Sequence, residues 1–105
     1  MTRELLPSRR ACENFDFVIG GVRYTAGLGF YDDGRLGEIF LTGPKAGTGV
    51  EIIAKDAAVM VSIALQYGAS PEVLRHGLQR DSKGTSLSPI GTVLDLLASQ
   101  MEGAE

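Results

Sequence analysis

Sulfur and imidazole are nearly missing from this sequence. Among its 105 residues Cys12 is the one cysteine and His76 the one histidine, and there is no tryptophan. One thiol cannot close an internal disulfide, and one thiol with one imidazole cannot complete a soft tetrahedral zinc site within a chain. Dithiol redox chemistry and Cys/His zinc catalysis by a single copy are therefore excluded, and Cys12 is left without an assigned role. A basic surplus is also absent: the net charge is -3 and the pI near 5.1. Nonspecific nucleic-acid binding draws on excess Lys and Arg to displace counterions from phosphate, so no nucleic-acid partner is expected. No apolar run reaches membrane-spanning length, and residues 1–10 hold Arg3, Arg9 and Arg10 without a signal-peptide core. The default expectation is a cytoplasmic protein with no membrane partner.

What is present is the composition of one globular domain, with 44% hydrophobic and 22% charged residues. A chain of this length buries about two-thirds of the surface that it exposes when unfolded. Six of the seven aromatics lie between residues 15 and 40, and nine of the fourteen glycines between 20 and 49. Aromatics mixed with glycines are typical of strands joined by tight turns. Phe15 to Ile19 alternates, Gly20-Gly21 reads as a hairpin turn, and Val22 to Phe30 places Val22, Tyr24, Ala26, Leu28 and Phe30 on one face. Asp33-Gly34 marks a second turn before a third strand, Leu36 to Leu41.

The second half reads as helices. Thr48 with Glu51 fits a capping box, and Gly68 stands where a left-handed C-cap belongs, which predicts a long helix from 48 to 67. On its helical wheel Lys55, Ser62 and Gln66 fall within about 60° of Glu51, and apolar residues fill most of the rest. So apolar a helix is expected to be buried on more than one side. Ser70-Pro71 and Ser88-Pro89 start two shorter helices. The expected fold is α+β: a three-stranded antiparallel meander, then one long and two shorter helices packed on one sheet face. Residues 14–98 form the domain, 1–13 a flexible arm and 99–105 a flexible tail.

Three groups of residues could carry function. The loop Gly43, Lys45, Ala46, Gly47, Thr48 and Gly49 leads into a helix N-terminus, where free N–H groups and the dipole favour an anion such as a phosphate or nucleotide. It is not a Walker loop, and the plainer reading is a glycine turn with Thr48 as cap. Asp56 lies on the apolar arc with Ile52, Met60, Ile63 and Tyr67, so it needs a cation such as Lys45, Arg75 or Arg80, exposure at the helix edge, or a polar cleft. Arg75 and His76 complete that cleft candidate. His76 with Glu72 one turn away also fits a solvated helix face. Asp32, Asp33 and Glu38 lack the EF-hand spacing, and the Asp-Asp-Gly step reads as a turn. Gly27-x-Gly29 misses the dinucleotide fingerprint. No metal site and no catalytic residue are assigned.

Taken in order, the segments resemble a known domain. They are Gly-Glu-Ile-Phe (Gly37 to Phe40), Gly-x-Lys-Ala-Gly (Gly43 to Gly47), Ser-Ile-Ala-Leu-Gln-Tyr-Gly (Ser62 to Gly68), His-Gly-Leu (His76 to Leu78) and Ser-Pro-Ile-Gly (Ser88 to Gly91). This order resembles the TSCPD domain, which is found at the C-terminal end of ribonucleotide reductases, especially the adenosylcobalamin-dependent class, and as a free-standing small protein. The likeness covers roughly residues 21–97. The cysteine motif that names the domain is missing, as are the several cysteines of the full enzymes. The resemblance implies a bacterial accessory or regulatory module of nucleotide metabolism, not a reductase. Its implied partner is a reductase catalytic chain, and adenosylcobalamin would enter only through that partner. Two other readings remain open: a structural homo-oligomer, such as a dimer, and a small acid/base enzyme using Asp56 or His76.

Overall fold

The computed structural model describes residues 2–103, with backbone alone for the last three. Strands β1 (Cys12–Ile19), β2 (Val22–Phe30) and β3 (Leu36–Thr42) precede helices α1 (Gly49–Gln66), α2 (Pro71–His76) and α3 (Pro89–Gly103). The sheet is antiparallel in the order β1-β2-β3. The α+β meander expected from the alternation is the observed fold.

Gly20 and Gly21 both take positive φ, which a two-residue type I′ turn requires, and the hairpin closes at Ile19 opposite Val22. The resulting register places Phe15 opposite Ala26, Phe17 opposite Tyr24, Leu28 opposite Ile39, and Ala26 opposite Leu41. All share one face, and there they meet Ala54 and Ala58 of α1 and Ile90, Val93 and Leu94 of α3 to form the core. Leu28, Ile39, Val93 and Leu94 are almost fully enclosed. Each such side chain contributes roughly 1.5–3 kcal/mol relative to exposure.

The opposite sheet face is held by charge. Glu38 is buried there, and its carboxylate lies over Gly29, where a Cβ would overlap it. Arg10 donates to both Glu38 oxygens and to the Pro7 carbonyl. The expected arm is thus anchored: Glu4 N–H donates to the Gln66 carbonyl at 2.8 Å, and Arg35 clasps the Glu4 carboxylate with two 2.9 Å bonds. The element bounds differ from those read in the sequence. Strand β1 begins at Cys12, inside the expected arm, because the alternation of β2 runs on to Gly29 and supplies its ladder partner. Helix α3 continues to Gly103, past residue 98, because no proline or glycine interrupts it between Thr92 and Glu102. Met1 and residues 104–105, the outer ends of the expected arm and tail, lie outside the described residues.

The main departure is the orientation of α1. In an antiparallel sheet alternate residues turn their N–H and C=O groups outward at an edge strand. On β3 these are Gly37, Ile39 and Leu41. Helix α1 runs back along that edge. Ser62 Oγ accepts the Ile39 N–H at 2.8 Å and lies 3.1 Å from the Ile39 carbonyl, and Gln66 Nε2 donates to the Gly37 carbonyl at 3.0 Å. The spacing fits, because four helical residues rise about 6 Å and two strand residues about 6.6 Å.

The arc holding Glu51, Ser62 and Gln66 therefore faces inward, with Glu51 only 3% and Gln66 8% exposed. The apolar arc of about 120° faces out: Ile53 is 71% exposed and Met60 68%, with Ile52, Val59 and Tyr67 beside them. Burial of α1 on more than one apolar side does not occur within the chain. The physical reason is that the β3 edge needs polar partners and takes them from this helix. Ser62→Ala should accordingly cost about 1–2 kcal/mol in denaturant unfolding, since it orphans a buried N–H. Ile53→Ser should change stability by less than about 0.5 kcal/mol.

Candidate functional site

The Gly43–Gly49 loop leads into α1, which Thr48 caps. Thr48 Oγ1 accepts the Glu51 N–H at 3.3 Å and donates to the Lys45 carbonyl at 3.0 Å, and Glu51 Oε1 accepts the Gly47 N–H at 3.0 Å. The donors at this helix start thus serve the chain's own buried carboxylate. Glu51 Oε2 has no hydrogen-bond donor, and its nearest cation is Lys55 Nζ at 3.7 Å. A negative charge already stands where an anion would sit. Gly43 packs against Glu51 and Tyr24, while Lys45 and Ala46 are exposed.

The three polar-cleft candidates do not converge. Asp56 is exposed at the middle of the outward apolar arc and has no ion-pair partner among the described residues. Lys45, Arg75 and Arg80 do not pair with it. The wheel placed Asp56 correctly among Ile52, Met60, Ile63 and Tyr67, but that arc turns to solvent, which removes the need for a buried countercharge.

Arg75 and His76 instead belong to a surface network on α2. Arg75 Nη1 and His76 Nε2 donate to the same Glu72 oxygen at 2.7 and 2.9 Å. His76 is exposed, the solvated-face reading of this residue. A general base needs a recess in which to meet substrate, and neither Asp56 nor His76 stands in one.

The residue missed in the sequence is Asp95 of α3. Arg80 grips both of its oxygens, at 2.7 and 2.8 Å, and Arg75 Nε adds a 2.8 Å bond. Arg80 also donates to the Arg75 and Gly84 carbonyls, so one carboxylate ties together α2, the 80–86 hairpin and α3. Its signal was available: a lone acid inside the apolar run Val93-Leu94-Asp95-Leu96-Leu97. Among the described residues no group of three or more His, Cys, Asp or Glu side chains is placed to hold a metal ion. Cys12 is a free, exposed thiol on β1.

One recess lies between β3 and α1. It has a volume of about 520 Å3 and is lined by Phe40, Leu41, Val59 and Ile63, with Arg3 and Lys55 among its polar residues. Val59 and Ile63 also belong to the outward arc of α1, so groove and arc form one continuous apolar surface. Neither was assigned from the sequence, because both arise from the way α1 is turned. No helix among the described residues is long and apolar enough to cross a membrane.

The hydrogen bonds from Arg80 hold the Asp95 carboxyl below its usual range, against a smaller opposing effect of partial burial, and Arg75 adds to the lowering. A lowered folded-state pKa means that this stabilisation is present above the unfolded carboxyl value and lost as pH falls through the folded one. Thermal melts should therefore show Asp95→Asn less stable by about 2 kcal/mol at pH 7, with the difference closing below about pH 4.

Comparison with known proteins places this geometry. The chain is 42% identical over 66 residues to a vitamin B12-dependent ribonucleotide reductase of Bradyrhizobium diazoefficiens, covering 63% of this chain and 5% of the relative. Proteins of the same name from Rhodopirellula baltica and Agrobacterium fabrum are 39% identical over 72 residues and 36% over 70. Those alignments cover 69% and 67% of this chain but only 7% and 6% of the relatives. The chain thus corresponds to less than a tenth of the length of these curated relatives. No solved structure matches it significantly. The TSCPD domain matches residues 4–104, taking in both strands and helices, and the chain belongs to the TSCPD domain family.

Proposed function

We propose that this chain is an accessory module of a vitamin B12-dependent ribonucleotide reductase, with no chemistry of its own, and that it works by protein contact through the outward arc of α1. The observation that carries this reading is the inverted helix. The exposed side chains of Ile52, Ile53, Val59, Met60 and Tyr67 form an apolar patch on one side of one helix, and contiguous patches of this kind mark interaction surfaces. The occupant proposed is suggested by the relatives, in which the matched segment is a small part of one long polypeptide. A segment held within a larger protein has neighbours to pack against, and in this reading the outward arc of α1 meets such a neighbour.

Cobalamin belongs to the reductase in this reading. The one imidazole of this chain is at the end of α2, exposed and bonded to Glu72. The Gly43–Gly49 loop has no ligand role here, because Glu51 supplies the negative charge at that helix start.

A second reading has its own observation. Ile53, Met60 and Tyr67 are spaced seven residues apart, with Asp56 and Ile63 three residues after the first two. That is the a/d spacing with which one helix meets another, so two copies could pair through α1.

One pair of experiments separates the two. The tagged chain should retain the purified B12-dependent reductase of its own organism, and an Ile53→Asp/Met60→Asp double variant, folded by circular dichroism, should lose at least about tenfold in affinity. Light scattering should show a monomer at micromolar concentration. A stable dimer that the double variant splits, with no reductase retained, would replace the first reading with the second.

A further inference from the structure

The groove between β3 and α1 has features that the docking arc does not use. Its floor is apolar, and its volume of about 520 Å3 falls in the range of sites that hold a defined ligand. Its two cations stand apart. Arg3 sits at the Gln66 end, donating from Nε to Gln66 Oε1 at 2.6 Å. Lys55 lies eleven residues earlier on α1, about 16 Å along the helix axis.

The two cations are neutralised to different degrees. Arg3 has no carboxylate partner among the described residues, whereas Lys55 pairs at 3.7 Å with buried Glu51 and keeps half of its side chain exposed. The one acid in the lining, Glu38, is taken by Arg10. The groove is therefore locally positive in a chain of net charge -3.

The backbone adds a third feature. Gln66 serves Gly37 and Ser62 serves Ile39, but one turn earlier on α1 stands Ala58, whose side chain has no polar atom. The outward N–H and C=O of Leu41, at the next step of this register, have no hydrogen-bond partner among the described residues. Backbone groups of this kind are satisfied by water or by another backbone.

We propose that the β3–α1 groove binds an extended peptide segment that carries a large apolar side chain midway between two carboxylates four residues apart. Alternate residues of an extended peptide share a face, so these three side chains all point into the groove. The carboxylates stand about 13 Å apart, and the long side chains of Arg3 and Lys55 close the rest of the distance. The carboxylates pair with Arg3 and Lys55, and the apolar side chain packs on Phe40, Val59 and Ile63. The peptide backbone meets Leu41. The proposal does not depend on any reductase, and its test uses this chain alone.

The probe is a blocked pentapeptide with glutamate at both ends and phenylalanine in the middle, titrated into the full 15N-labelled chain. Saturable amide shifts at Leu41, Val59 and Ile63 are expected. The same peptide with lysine at both ends should bind at least about tenfold more weakly, as should the acidic peptide to Lys55→Glu. Arg3→Gln, at an exposed position, provides a second variant with the same expected direction. Absence of groove shifts at millimolar peptide, equal binding of the lysine peptide, or undiminished binding to both variants would overturn the proposal.

Discussion

An edge strand needs partners for its outward backbone groups, and in this protein β3 finds them in the side chains of α1. Ser62 and Gln66 close most of that edge, protecting it from pairing with another chain. The arrangement decides how the helix is turned. A helix that lends its polar arc to a strand has only its apolar arc left for solvent, so Ile53 and Met60 are exposed by the same contacts that seal β3. The groove follows from it as well, because it opens where the register of polar side chains reaches Ala58 and lapses.

Charge supplies the remaining ties. Arg10 and Glu38 fasten the N-terminal segment across the outer sheet face, over the space that Gly29 leaves open. Asp95 gathers Arg75 and Arg80 and so joins α2, the 80–86 hairpin and α3. Its value lies in geometry as much as in charge, since a bidentate guanidinium fixes direction as well as distance. Neither cluster is arranged for chemistry. Each carboxylate is saturated by arginine, and the one histidine is at the surface.

The contrast with the curated relatives is one of scale. Enzymes many times longer contain a segment that this chain resembles, while this chain has a single thiol. The apolar flank of α1 is a conspicuous surface of this small α+β unit. The family assignment rests on sequence and the inverted helix on the geometry of the β3 edge, so the two observations are independent.

Local chemistry made much of the fold readable. The Gly20-Gly21 turn, the alternation of β2, the Thr48–Glu51 box and the Ser-Pro helix starts depend on neighbours within a few residues, and each was legible for that reason. Asp33-Gly34 marked its turn in the same way. Partners distant in sequence were not legible. Asp56 and Asp95 look alike in one dimension, each an acid in an apolar helix, yet Asp56 faces water and Asp95 holds two arginines. The sequence by itself determined which segments are strands and helices and where every element but β1 begins, since turns and caps are short-range. Only the tertiary structure decided which side of α1 faces inward, because that choice rests on the unpaired edge of a strand whose contacts with α1 are 23 and 29 residues apart in sequence.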